Sequence, residues 1–550
     1  MKALLRIAAL LAAVAALAAP TSDLHIGDDA RYAAATMKAD RMLDVVKELS
    51  SDAYQGRAPG TDGETKTLSF LEGQFREIGL KPLGRDYRQQ VPLLTIRSQA
   101  QEDFALEAKA QFTSPQFGAD FFVLPDRPEA EIKIVNSQLV FCGYGIVAPE
   151  YGWDDYKSVD VRGKTVIVLD IQPRRTDVSG AVDPAFFRGD YKTWYGTRWY
   201  KAEEAARHGA AAILMVNDPA SGSVPYQIYA NRINTEQSFL VGDTTPQPLA
   251  AGWIKLEAVR RLFRSAQTDF DQLRATAQLA DFKPVPLYAA LNATLRSQVR
   301  KVTTRNLVGM IQGSDAKLKQ QYVIYSAHWD HLGMDPQRPG DNIFHGASDN
   351  AGGTAQLLEV ARAFRALKMP PRRSIIFLST SSEEQGLLGS AYYAQHPLVP
   401  LSATIAEINL DRFNQLGRTK DLDDAGDHEN GLKDIESGIA ALQDRVVVPQ
   451  TRPQMGLFYM SDQFSFAKRG IVATYIGSGS QYLNAGKPEF EAHRKDAAGS
   501  IHQVTDQVKP WWDLRGALED AQFSFYLGYE LAARDQPPAW QPGSTFAHKK

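Results

Sequence analysis

Cysteine is nearly absent: the 550-residue chain has one, Cys142. A lone cysteine rules out an intrachain disulfide framework. Its place in the apolar run "LVFCGYG" reads as a buried, inert thiol rather than a nucleophile. An excess of charge of one sign is also missing. The net charge of −3 gives no basis for binding nucleic acid or an anionic membrane. Long hydrophobic runs are confined to the N-terminus. Lys2 and Arg6 precede an apolar stretch from Ile7 to Leu17, and Ala16-Leu17-Ala18 fits a small-residue cleavage site. The stretch is shorter than the ~20 residues of a spanning helix. The expectation is a signal peptide over 1–18, a periplasmic or secreted product, and no stable membrane anchor. No Cys follows the stretch, which argues against a bacterial lipid anchor.

Several catalytic motifs are missing too. Gly352-Gly353 has no P-loop Lys at the required spacing. Ser478 in "IGSGSQ" lacks the nucleophile-elbow pattern and a matched triad. No internal repeat of 20–50 residues is visible.

With 44% hydrophobic and 23% charged residues, the chain has the composition of an ordinary globular protein. The run "SDAYQGRAPGTDGE" reads as loop. In "TKTLSFLEGQFREIGL", Leu68, Phe70, Leu71, Phe75 and Ile78 recur at helical spacing, and Gly79 is the expected stop. The texture changes near Asn136. "QLVFCGYGIV" and "KTVIVLDIQ" are short β-branched runs, and "WYKAEEAARHGAAAILMVND" reads as a helix and then a buried strand. The division expected is 19–135, a separate inserted domain over 136–285, 286–535, and a tail over 536–550. The acidic run "KDLDDAGDHENGLKD" at 420–434 lacks EF-hand spacing and reads as a solvated loop rather than a calcium loop.

From Asn306 strands alternate with helices, which predicts an α/β fold with a mixed, largely parallel sheet flanked by helices. The strand "QYVIYSA" leads into His328 and Asp330. Asp349 precedes the amphipathic "GGTAQLLEVARAFRAL". The strand "SIIFLST" leads into Glu383-Glu384, and "TIAEINL" leads into Asp411. His502 closes the series in "SIHQVTDQV". Carboxylates at the C-terminal ends of strands converge on a crevice in open α/β sheets. His328, Asp349, Glu384, Asp411 and His502 are two imidazoles and three carboxylates, a natural set for two Zn²⁺ ions. Glu383 and Asp330 stand beside that set, free for other work.

The runs "AHWDHLG", "SDNAGG", "EEQGLLGS", "NLD" and "HQVTD" resemble, in order, those of the M28 family of zinc aminopeptidases. The resemblance implies a zinc-exopeptidase fold and peptide substrates. It implies His328 and Asp411 on one zinc, Glu384 and His502 on the other, and Asp349 as the bridge. Glu383 is then the general base, and Asp330 orients His328. The block at 136–285 resembles the β-rich protease-associated domain inserted in such enzymes. Two positions depart from the pattern. Ile501 stands where many members have a Tyr that helps polarise the scissile carbonyl. Arg412 stands where a small or apolar residue is usual; it either contacts substrate or pairs with a nearby acid. His331, His345 and His493 read as structural histidines, with His331 the one placed to touch substrate. The alternatives are a carboxypeptidase or dipeptidase, a one-zinc glutaminyl cyclase-like enzyme, and a non-catalytic binding protein on the same fold.

Overall fold

The computed structural model describes residues 24–98, 105–108, 115–219, 225–426 and 429–547. The expected signal segment lies outside them. Helix α1 (Asp62–Ile78) starts where the Thr61 hydroxyl accepts the Glu64 N–H, and it stops at Gly79 with φ 83°. That left-handed stop needs a residue without a side chain, so glycine ends the helix where the spacing placed its end.

One mixed sheet runs through the molecule. Its main strands are β1 (Arg88–Ser98), β2 (Phe121–Pro125), β3 (Glu131–Phe141), β4 (Thr165–Leu169), β5 (Ala212–Asn217) and β6 (Ala250–Lys255). They are followed by β7 (Val285–Ile311), β8 (Tyr322–His328), β9 (Ser374–Thr380), β10 (Thr404–Asn409) and β11 (Val472–Thr474). Their order is β11-β10-β8-β9-β7-β3-β4-β5-β6-β2, with β1 paired to β7. Helix α2 (Arg198–Arg207) crosses over between the parallel β4 and β5.

The seam is β7, a strand of 27 residues. Its first part pairs antiparallel with β3 and its second with β1 and β9. Its burial alternates along much of its length, as a strand with one solvated face requires. β3 begins at Glu131 and β7 continues unbroken past 285, so the sheet joins the segment read as an insert to the rest.

β8, β9, β10 and β11 run parallel. Every residue of β8, β9 and β10 is buried, which explains their unbroken apolar runs. Helix α3 (Gly353–Ala366) buries Leu357, Leu358, Val360, Ala361 and Phe364 as its spacing predicts, but Thr354, Gln356 and Glu359 are buried too, and it packs on β8 and on α4 (Arg515–Ala533). Gly353 admits no side chain: a Cβ there would sit 2.0 Å from the Leu410 carbonyl oxygen. The pair of glycines thus lets the start of α3 lie against the end of β10.

Two expectations need correction. The segment from 536 is no loose tail, because Trp540 and Phe546 are buried and pack with Phe458. The acidic run is no solvated loop over its first part. Asp421–Asp424 is a buried strand between two others. There Asp421 accepts the Ser480 and Gln481 N–H groups, and Asp423 pairs with Arg412. Backbone donors and one guanidinium make burial of these acids tolerable. Residues 427–428 of the run lie outside the described residues.

Candidate metal centre

Register builds the site. His328 pairs with Thr380, so β8 and β9 end level, and β10 ends at Asn409 opposite Ser326, two residues short of His328. His328 is the last residue of β8. Glu383-Glu384 and Asp411 follow the ends of β9 and β10 by a few residues. Ser382 has φ 54°, a left-handed turn that reverses the chain just before the two glutamates. Asp349 enters from the loop before α3, and His502, itself at φ 57°, from the loop before α4.

His328 Nε2 lies 3.1 Å from Asp411 Oδ1, 3.3 Å from Asp349 Oδ1 and 4.0 Å from Glu383 Oε2. His502 Nε2 lies 2.9 Å from Asp349 Oδ2 and 3.2 Å from Glu384 Oε2. Asp349 therefore offers one oxygen to each side. His331 Nδ1 approaches Glu384 Oε1 to 2.7 Å. The first two groups hold all five residues of the expected ligand set.

Asp330 is buried beside them. Its Oδ1 accepts the Glu383 N–H at 3.1 Å. His328 Nδ1 lies 3.1 Å from the Asp330 main-chain oxygen and 3.8 Å from its Oδ1. In this geometry the ring N–H is held by the Asp330 carbonyl, which fixes the tautomer and leaves Nε2 facing the carboxylates.

Residues outside the expected site set also hold this arrangement. Asp506, in "HQVTD", accepts the N–H groups of Ser348 and Asp349, each at 3.1 Å, and the Ser348 hydroxyl. The Ser461 hydroxyl donates to Asp411 Oδ2 at 2.6 Å and accepts from the Asn409 amide. Arg57, wholly buried, donates to the carbonyls of Leu49, Trp329, His345 and Gly346. It ties the loop read as "YQGRAPG" to the two segments that carry His328, His331 and Asp349. A buried Arg in a Gly-rich loop was the available signal.

Electrostatics follow from the crowding. Burial pushes the Glu383 carboxyl well above the usual carboxylate range; Asp411 and Glu384 add to this and His328 opposes it. Burial likewise lifts Asp330 to about 7. Burial disfavours charge on Asp349 too, but His328 and His502 outweigh it and hold that carboxyl well below its ordinary value. The Glu384 carboxylate is the largest influence raising His502 to about 12. Burial lowers Arg57 to about 10, while Asp506, Asp349, Asp330 and Glu384 keep it from falling further.

Two sets of side chains can each bring one ligand atom within 4.8 Å of the others: His328, Asp349 and Asp411, and His331, Asp349 and Glu384. Zinc bonds of about 2.0–2.1 Å give a tetrahedron with edges of about 3.3 Å. The His328 separations of 3.1 and 3.3 Å and the His502 separation of 3.2 Å fit such edges. Five carboxyls in one buried cluster also require compensating cations if all are to ionise. Donor set, spacing and charge all fit a pair of zinc ions.

Residues 306–524 match the model of Peptidase family M28. This segment is an M28 peptidase domain. All five expected ligands lie inside it. Aminopeptidase NAALADL1 of Mus musculus is 36% identical over 131 residues, 23% of this chain and 16% of that protein. Aminopeptidase YwaD of Bacillus subtilis is 33% identical over 95 residues, 17% of this chain and 18% of that one. The matches thus span under a fifth of these relatives. A solved aminopeptidase from Aneurinibacillus sp. strain AM-1 shares the fold, with a TM-score of 0.50 and 17% identity over 94% of this chain and 98% of that one.

Around the M28 site the two departures find places. Arg412 donates to the carbonyl and carboxylate of Asp423, so of its two readings the structure gives the pairing with an acid. Ile501 is 52% exposed. The Tyr475 hydroxyl donates to the Asp411 carbonyl at 2.9 Å. His345 bonds the Ser50 carbonyl, and His493 stacks on Trp511.

Among the described residues no helix is long and apolar enough to cross a membrane.

Proposed function

We propose that the chain is a zinc-dependent aminopeptidase with two metal positions, removing N-terminal residues from peptides. The observation that carries this reading is Asp349, whose two oxygens face His328 and His502. A shared carboxylate sets two ions ~3.5–4 Å apart, the spacing of two-metal hydrolases. The M28 match and the aminopeptidase names of the relatives above favour the same class. His328 and Asp411 would hold one ion, Glu384 and His502 the other, with Asp349 between them.

When bound, the ions supply a water acidified towards neutrality and positive charge for the developing oxyanion. Glu383 is the base. Its oxygens stand beside this cluster, and a carboxyl raised by burial is matched to taking a proton and giving it back. It would accept the water proton and return it to the leaving amine nitrogen. The Asp330 carboxylate, by receiving the Glu383 N–H, holds the base in place. Ser461 fixes the rotation of Asp411.

Residues 136–285 carry none of the expected ligands, and we assign them as an accessory domain that shapes access to the site. The signal segment at 1–18 would direct export.

The test is a panel of aminoacyl and N-blocked peptides, assayed with and without chelator. Free-amine substrates should be cleaved, blocked ones spared, and chelator should stop the reaction. Cleavage of N-blocked peptides from the C-terminus would overturn the aminopeptidase assignment in favour of a carboxypeptidase.

A further inference from the structure

His331 is the histidine of the "HWDH" run that the ligand scheme leaves unused. Its side chain is fully buried, and neither ring nitrogen has a hydrogen-bond partner. A buried imidazole with both nitrogens unsatisfied is rare in a packed interior. The ring is also clamped. A Cβ at Gly346 would lie 2.3 Å from the Asp349 carbonyl oxygen, 2.6 Å from His331 Cγ and 2.7 Å from Arg57 Nη2, so this left-handed glycine lets the ring pack closely against the loop.

What the ring faces is the second metal position. Nδ1 is 2.7 Å from Glu384 Oε1, and neither atom has another hydrogen-bond partner. His331 also joins Asp349 and Glu384 with ligand atoms within 4.8 Å of one another. The rings of His331 and His502 have centroids 5.9 Å apart, tilted by 50°. With Zn–N bonds of about 2.0–2.1 Å, each ring centre lies about 3.2 Å from its ion, so two rings on one ion are at most about 6.4 Å apart. The pair falls within that limit, at an angle of about 130° at the ion, wider than tetrahedral.

We infer that His331 is a fourth protein ligand of the ion held by Asp349, Glu384 and His502. The inference rests on the two-metal reading above. It makes the two positions unequal. Four side chains close the second position, whereas His328, Asp349 and Asp411 leave the first with an open place, the arrangement catalytic zinc sites keep. It also supplies a buried histidine to back up His502, whose side chain is 53% exposed.

X-ray absorption at the zinc edge of the full chain reads the imidazole count directly. Three histidines over two ions predict about 1.5 imidazoles per zinc, against about 1.0 if only His328 and His502 bind. His331→Ala should lower the count to about 1.0 and weaken the second ion roughly tenfold or more in competition with a chromophoric chelator. His502→Ala should keep two ions, and the double variant should keep one. A wild-type count near 1.0, with chelator competition unchanged by His331→Ala, would overturn the assignment. The wild-type count needs no variant, so it decides even if His331→Ala fails to fold. A chain that binds one zinc, through two imidazoles that become one in His331→Ala, would keep His331 and overturn the two-metal reading. One zinc unaffected by His331→Ala would overturn both.

Discussion

The two ends of the sheet are built alike and charged differently. In the outer end β3, β4, β5 and β6 run parallel, with β4 and β5 wholly buried, as are β8, β9 and β10 at the other end. Both ends therefore gather polar residues past strand termini. In the outer end most buried charges find a structural partner, although Asp170 Oδ2, just past β4, has no hydrogen-bond partner. Asp155 accepts the N–H groups of Tyr144 and Ile146. Lys201 donates to the carbonyls of Tyr144 and Ile171, and Asp218 pairs with Arg274. At the M28 end carboxylates face carboxylates and histidines, and Arg57 is spent on backbone carbonyls. The same architecture is a scaffold where charges are settled within the protein and a site where they are left for something to bind.

Breaking the site end at its proton acceptor should have the largest effect. Glu383→Gln is nearly isosteric but cannot take a proton, so kcat should fall roughly 10²–10⁴-fold with zinc content unchanged. Elemental analysis and steady-state kinetics on one preparation check this. Full activity with both ions bound would refute the base.

The adjacent substitution sharpens the contrast. Glu384→Gln should lower zinc affinity roughly tenfold or more, and part of the activity should return on adding zinc. If Glu383→Gln loses metal and Glu384→Gln keeps it, the two roles are reversed.

The outer end should break without touching the metals. A Cβ at Gly252 on β6 would lie 1.8 Å from the Phe122 carbonyl oxygen on β2. Gly252→Ala should cost on the order of 1–3 kcal/mol from overpacking. Denaturant melts should show the loss while zinc stoichiometry at low temperature stays at the wild-type value. Zinc lost in step with stability would show that the two ends act as one unit, joined through β7.

A further test of the outer end concerns pH. Burial lowers Lys201 from 10.5 to about 7. Between those values the folded chain binds fewer protons at this residue than the unfolded chain, so its contribution to stability rises with pH. Below about pH 7 both states carry the proton and the buried charge is fully unfavourable. Lys201→Met has no such group. Wild-type minus variant unfolding free energy should climb from pH 7 to 10, by at most ~1.4 kcal/mol per unit. A flat difference would mean that Lys201 stays charged through its two carbonyls and the nearby carboxylates.

Periodicity and punctuation were enough to read the strands that end at His328, Glu383-Glu384 and Asp411, the helix α3 and the stop at Gly79. These depend on neighbours a few residues away, and a buried parallel strand announces itself as an apolar run. The 27-residue β7 escaped because nothing punctuates "LYAALNATLRSQVRKVTT", and an alternating strand can stop at any point along it. Trp540 and Phe546 escaped because a Pro-rich end looks the same whether it hangs free or finds the Phe458 ring.

The sequence by itself set which residues of metal-binding and proton-carrying types stand at strand ends, and in what order, since few residue types bind zinc or move a proton. Only the tertiary structure decided how they divide. Asp349 meets both His328 and His502 from 21 and 153 positions away. His331 turns from a spare histidine into a neighbour of Glu384. Arg57 crosses 272 residues to Trp329. Local spacing sets the type of each element, whereas strand register and chain packing, which no local window contains, set the distances between residues.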